Sequence, residues 1–221
     1  MGKSLLVSIL LLSFVGGKGL AKPIWSHGEL SLTNGTVLAG DLSYNWKAEI
    51  VQYREGNIIK AFSAFQVSGF KYFDATLNTL RTFKTVDYPV KENFNRSLFL
   101  EQIGIGPMMI YRRLRHARDP IKIGNPSASA VDDMMLKRVD NFTYYVFEGD
   151  RMTNLTDFDT ELWPRMQQEF SDELAHYSGT LHMDLNSTFA RLLLITQYNQ
   201  LKVRATHVTS LKVPTESVSL Y

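Results

Sequence analysis

From Glu29 to Ala39 the chain alternates apolar and polar residues on either side of Asn34-Gly35, and this constrains the fold more than any other feature. An Asn-Gly pair between alternating runs is the strongest short hairpin signal, because both central positions of a type I′ turn need positive φ. The pattern predicts that Leu32 faces Val37 and Leu30 faces Ala39 across a two-residue loop. Beyond Gly40 the apolar parity moves to Leu42 and Tyr44, which predicts a bulge or bend at Gly40-Asp41. Similar runs follow at short intervals. Ala48 to Tyr53 turns at Glu55-Gly56-Asn57 into Ile58 to Phe62, Phe65-Gln66-Val67 reads as a helical turn or a crossing loop, and strands follow over Gly69–Phe73 and Thr79–Val86. Short strands so spaced point to a small barrel or sandwich rather than a parallel sheet. Tyr44, Tyr53, Phe62, Phe65, Phe70, Tyr72 and Phe83 are its expected core.

Leu98–Ile103 and Met108–Leu114 predict a further hairpin through Gly104-Ile105-Gly106-Pro107, and residues 117–138 read as a long surface excursion. Phe142–Phe147 is strongly β-prone and is closed by Glu148-Gly149-Asp150. From Thr156 the period becomes helical, with Pro164 tolerable near a helix start or at a kink. Ser171-Asp172-Glu173 offers one N-cap and Ser187 another, the latter opening a helix that carries Phe189, Leu192, Leu193, Ile195 and Tyr198. Beyond Leu201 the residues are β-branched and predict fraying or an edge strand over Lys202–Val208. The expected class is therefore α+β. An antiparallel domain over 22–155 contains a small-barrel- or sandwich-like module at about 26–90 and a hairpin region at about 96–150. A helical segment over 156–201 and a tail over 202–221 complete the chain.

Lys3, the apolar run Leu5 to Val15 and the small-residue exit Gly19-Leu20-Ala21 read as a signal peptide over residues 1–21. That run is short of the roughly twenty residues a bilayer span needs, so no transmembrane helix is expected after cleavage. Cleavage removes two of the 24 basic residues and none of the 22 acidic ones, leaving a body with no formal net charge. Nothing in that balance calls for a nucleic-acid partner. The chain has no cysteine, which excludes disulfides, thiolate nucleophiles and Cys-bearing zinc sites. Export without cystines points to a bacterial periplasm or outer surface. Five Asn-X-Ser/Thr triplets, beginning at Asn34, Asn95, Asn141, Asn154 and Asn186, weigh less, since such triplets arise readily by chance in loops.

Arg112, Arg113, Arg115, His116 and Arg118 form the densest charge cluster, and on a strand Arg113 and Arg115 share one face while Arg112 takes the other. Together with Trp46 at a hairpin tip they make a candidate binding patch for an anionic surface, lipid headgroup or polysaccharide, or for another envelope protein. The alternative is a hairpin end whose arginines pair with nearby carboxylates. No catalytic, cofactor or metal residues are expected. The five histidines are scattered, with His176 and His182 six apart, and there is neither a His-Glu-x-x-His run nor a Gly-x-Ser-x-Gly elbow. Glu101, Asp132-Asp133 and Asp140 are carboxylates a glycosidase would use in pairs, but no spacing singles a pair out.

Several of these segments resemble a group of uncharacterised exported bacterial proteins. Leu32-Thr33-Asn34-Gly35-Thr36 with Gly40-Asp41-Leu42-Ser43-Tyr44 is similar to that group's opening "dG…G.i.y" hairpin, and Ser63 to Phe70 to its next element. Leu98-Phe99-Leu100-Glu101, Gly106 and Ile110-Tyr111 match its "FLE…G…lY" hairpin, and Tyr198-Asn199 lies where its last helix ends. The resemblance implies a β-rich exported protein with C-terminal helices and carries over no reaction. The expectation is a non-catalytic binding or scaffolding role, with a hydrolase or an adhesion protein using Arg112–Arg118 as alternatives.

Overall fold

The computed structural model describes residues 23–46, 48–91, 94–115 and 139–210. Ten strands form one antiparallel sheet: β1 (Ser26–Leu32), β2 (Val37–Asn45), β3 (Ile50–Glu55), β4 (Ile58–Ser63), β5 (Val67–Asp74), β6 (Thr79–Lys91), β7 (Phe94–Gly104), β8 (Met109–Leu114), β9 (Phe142–Glu148) and β10 (Arg151–Asn154). Their spatial order is β10-β9-β8-β7-β6-β5-β1-β2-β3-β4, so the sheet is open, with β10 and β4 at its edges. Two helices follow, α1 (Trp163–Thr180) and α2 (Thr188–Ser210). The α+β class stands. The return strand β10 pairs with β9 beyond the predicted closure at Glu148-Gly149-Asp150.

The first hairpin departs from expectation by one residue. Ser31 lies opposite Val37 and Leu30 opposite Leu38. The loop has three residues: Gly35 donates its N–H to the Leu32 carbonyl, Leu32 donates to the Thr36 carbonyl, and only Gly35 takes positive φ, at 86°. Asn34 instead accepts the Thr36 N–H at 3.0 Å through its side chain. This is a turn closed by a left-handed glycine, the usual three-residue alternative to a type I′ loop. A one-residue slip exchanges the faces of a strand. Val37 is therefore exposed, while Leu38, Leu42 and Tyr44 point inward without a break, and no bulge at Gly40-Asp41 is needed.

The sheet is strongly coiled. Tyr44 on β2 and Phe99 on β7 are four strand spacings apart, about 19 Å in a flat sheet. Their rings lie 5.7 Å apart. Tyr44 also meets Phe70 and Phe83, each at 5.1 Å, so aromatic edges and faces fill the concavity. Leu30, Leu42, Val51 and Phe70 complete this first core. Of the aromatics expected there, Phe65 is the exception: it sits on the turn before β5 and is 71% exposed.

A second core forms where the helices cover one face of β8 and β9. Ile110, Leu114, Tyr144 and Val146 meet Phe158, Leu162, Met166, Leu194 and Tyr198. The other face of β8 and β9 buries Tyr111 and Tyr145 beside Leu100. Trp46, from the β2–β3 turn, packs against the helical core and so ties the two ends of the sheet together.

Pro164 occupies the first turn of α1, directly after a π-helical turn over Phe158–Leu162. α1 consists of two helical runs joined across a kink at Phe170 (φ −140°, ψ 50°), so the start predicted at Ser171 falls one residue past the break that opens the second run. The α1 C-terminus is a Schellman closure: Met183 N–H reaches the Ser178 carbonyl, His182 N–H reaches Gly179, and His182 is left-handed at φ 47°. Ser187 immediately precedes α2 as expected, but α2 runs on to Ser210, so Lys202–Val208 is helix rather than an edge strand. Lys202 pairs with Glu169 of α1, and within α2 the Thr206 hydroxyl donates to the Lys202 carbonyl at 2.9 Å.

Candidate functional site

Charge enters the concave face of the sheet through Arg81, Glu101 and Arg112. Strand alternation dictates this: Arg81 shares the face of Phe83, and Glu101 lies opposite both Phe83 and Arg112 in the ladder. Arg81 donates from Nε and Nη2 to the two Glu101 oxygens at 2.8 and 3.0 Å, a bidentate fork. Arg112 donates from Nε to Glu101 Oε2 at 2.8 Å. Arg81 Nη1 reaches the Tyr72 hydroxyl at 3.2 Å and Asp74 at 3.4 Å. The Arg81 and Glu101 side chains are only 8% and 7% exposed, so each charge has lost most of its water and depends on its partners.

The electrostatics follow from that burial. Desolvation pushes the Glu101 carboxyl upward, but the hydrogen bonds and charges of Arg81 and Arg112 outweigh it and hold the group below the ordinary carboxylate value. For Arg81, burial works against the charge and the Glu101 hydrogen bond outweighs it, leaving the guanidinium firmly protonated. Burial pushes the Tyr72 hydroxyl up to about 12 and raises Tyr44 as well. Glu101 has no proton to donate near neutrality, which removes it as a general acid.

A second cluster surrounds Glu49, which occupies the β2–β3 turn with φ 54°. Its buried carboxylate accepts from Arg96 Nη2 at 2.6 Å and from Arg113 Nε at 3.0 Å. The turn that carries Trp46 thus closes onto β8. The predicted patch is accordingly divided: Arg112 faces Glu101 and stacks on Phe142 at 4.1 Å, Arg113 faces Glu49, and Trp46 is half-buried on the helical core. His116, Arg118 and Asp132-Asp133 lie outside the described residues. Asp140 is exposed in a short 3-10 turn.

Arg115 differs from its neighbours. Its N–H donates to the Asn141 carbonyl at 2.8 Å, which anchors the end of β8. Its side chain borders a cavity of about 60 Å³, open on one side, together with Thr143, Asn154, Thr156, Thr188 and Arg191. Among the described residues there is no cluster of three His, Asp or Glu side chains able to hold a metal ion. No helix among them is long and apolar enough to cross a membrane.

The sequence marks Arg112, Arg113 and Glu101 but does not pair them, and it marks neither Arg81 nor Glu49. Glu49 and Arg81 gave one usable signal: Arg81 sits at the inward parity of a strand with Phe83, a position a lone charge does not occupy without a partner. A further pair emerged only in three dimensions. Asn199 of α2 accepts the Met108 N–H at 2.8 Å and donates to the Met108 carbonyl at 2.7 Å, clamping the β7–β8 loop. Gly106 lies so close that a Cβ there would be 2.6 Å from Asn199 Cγ. No family model, curated protein or solved structure matches the chain.

Proposed function

We propose that this chain is an exported protein of the bacterial periplasm or cell surface that acts by binding or scaffolding rather than by catalysis. The carrying observation is that the charges buried in the concave face are paired with one another. Arg81 and Arg112 are matched by Glu101 and Asp74, while Arg96 and Arg113 converge on the single carboxylate of Glu49. Such charges brace a coiled sheet. A catalytic centre, by contrast, keeps titratable groups poised near the working pH and aimed at a vacant space. The tightly curled strands from β1 to β7 support reading the N-terminal part as a small-barrel-like module, with the helices as its C-terminal cap. Export is supported by the leader-like run over 1–21, and the absence of cysteine favours a bacterial envelope, since eukaryotic secretion usually leaves a cystine framework. The resemblance to exported bacterial β-modules points the same way.

Fractionation with N-terminal sequencing tests the compartment: the expected product begins after Ala21 and lies outside the cytosol. A panel of glycan, ester and peptide substrates tests the absence of catalysis. Turnover of any of them, abolished by a point substitution on the concave face, would overturn the reading.

A further inference from the structure

We infer that the cavity at the junction of β8, β10 and α2 is a binding site for a small tetrahedral oxyanion, a phosphate or sulfate group, with Arg115 as its principal charge. The inference stands apart from the export reading, since it depends only on this junction.

Size comes first. At about 60 Å³ the cavity is several times the roughly 15 Å³ that one water requires, so an anion of five heavy atoms is admitted. Its one open side leaves room for a monoester substituent.

The donors come next. Arg115 is exposed at the rim and, among the described residues, its guanidinium makes no ion pair, unlike Arg112 and Arg113 beside it. Arg191 forms the inner wall. It donates from Nε to the Leu185 carbonyl at 2.7 Å and from Nη2 to Asp159 at 2.6 Å, and it lies over the Phe158 ring. Those contacts fix the guanidinium while leaving one N–H on each terminal nitrogen uncommitted, apart from a long 3.5 Å approach to the Leu155 carbonyl. A guanidinium fixed in advance loses little entropy on binding. The hydroxyls of Thr143 and Thr188 form no hydrogen bond among the described residues, and Thr188 opens the 23-residue helix α2. Its first-turn N–H groups add partial positive charge to the same wall.

Among the described residues, carboxylates oppose this charge, Asp140 beside the lining residue Tyr144 included. Asp159 offsets Arg191, and Asp157, which takes the Thr156 hydroxyl at 3.3 Å, is exposed. Water screens an exposed carboxylate far more than it screens donors lining a recess. The balance inside favours an anion that accepts several hydrogen bonds at once, hence a tetrahedral oxyanion over chloride or a monovalent carboxylate.

The test is calorimetric titration of the full protein with inorganic phosphate at fixed ionic strength. Parallel titrations use sulfate and acetate, and phosphatidylglycerol vesicles are tested by co-sedimentation. The expected result is saturable phosphate binding, competed by sulfate and weaker for acetate. Arg115→Ala should weaken it about tenfold or more, the worth of one charge-assisted contact. Thr188→Val should weaken it by a smaller factor, while Lys84→Ala, which removes an exposed cation on β6, should leave it unchanged. Vesicle binding that phosphate displaces and Arg115→Ala abolishes identifies a lipid headgroup as the source, and phosphate binding without vesicle binding identifies a free anion. Absence of saturable binding up to about 50 mM phosphate would overturn the inference. So would equal weakening by Lys84→Ala and Arg115→Ala, or vesicle retention that phosphate does not displace.

Discussion

Replacing Asn199 by alanine removes both hydrogen bonds that join α2 to the β7–β8 loop. Asn199 is 6% exposed and Met108 fully buried, so the Met108 N–H and carbonyl are both left dry and unpartnered. Each stranded group costs about 1–3 kcal/mol, which makes the expected destabilisation roughly 2–5 kcal/mol. For a folded body of this size that corresponds to a fall in Tm of about 5–15 °C. Gly106 sharpens the test. A methyl at Gly106 would lie 2.6 Å from Asn199 Cγ, so Gly106→Ala alone should destabilise by collision. The φ of 150° at that position adds strain of its own. In Gly106→Ala/Asn199→Ala the contacts to Asn199 Cγ and Nδ2 are removed, while the Asn199 Cβ that alanine keeps still lies 2.8 Å from the methyl, so the collision is relieved only in part. The double variant should therefore lose less than the two singles combined, by up to about 1 kcal/mol, since contacting residues couple on that scale. Urea unfolding gives all four corners of the cycle, and amide exchange at Met108 reports the local opening. An Asn199→Ala protein that loses less than about 1 kcal/mol would mean that water replaces the amide and that the clamp carries no stability. Strict additivity in the cycle would refute the steric half of the argument.

Removing the Glu101 carboxylate alone, as in Glu101→Ala, should destabilise by about 3–5 kcal/mol in chemical denaturation, because Arg81 is left charged and buried. The triple replacement Arg81→Met/Glu101→Leu/Arg112→Met should come much closer to the parent; equal losses would show that the arginines contribute by packing rather than charge. Because the folded Glu101 is held below its ordinary value of 4.5, its stabilising contribution is complete above that value and fades as pH falls through the depressed folded value. Stability measured from pH 6 down to about pH 3 should therefore drop less steeply in Glu101→Gln than in the parent, and parallel curves would exclude this source. His182→Gly should stabilise by about 1 kcal/mol, since the left-handed C′ position penalises a side chain. A lower Tm for that variant would show that the imidazole makes contacts outweighing its backbone strain.

Much of the strand layout was legible because alternation and turn chemistry are local. The β3–β4 and β7–β8 pairs, the strand at Phe142 and the helix starting after Ser187 all follow from neighbours within a few residues. The register at Asn34-Gly35 was not legible. Both a two-residue and a three-residue loop suit that dipeptide, and what separates them is the burial of Leu38 rather than Val37 in a core built from distant strands. Nor was Lys202–Val208 legible as helix from its β-branched composition; it continues α2 from the turn that Lys202 ties to Glu169 of α1.

The candidate sites divide in the same way. Sequence alone marked Arg112, Arg113 and Arg115 as a cluster of cations and excluded thiol chemistry, because residue identity and proximity along the chain suffice for both. It could not assign their different fates. Arg112 pairs with a carboxylate 11 residues away, Arg113 with one 64 residues away, and Arg115 shares a cavity with Arg191. Those assignments depend on the coiling that carries the β2–β3 turn to β8, and coiling is a property of the whole sheet: each strand adds a small twist, and only their sum decides which charges meet.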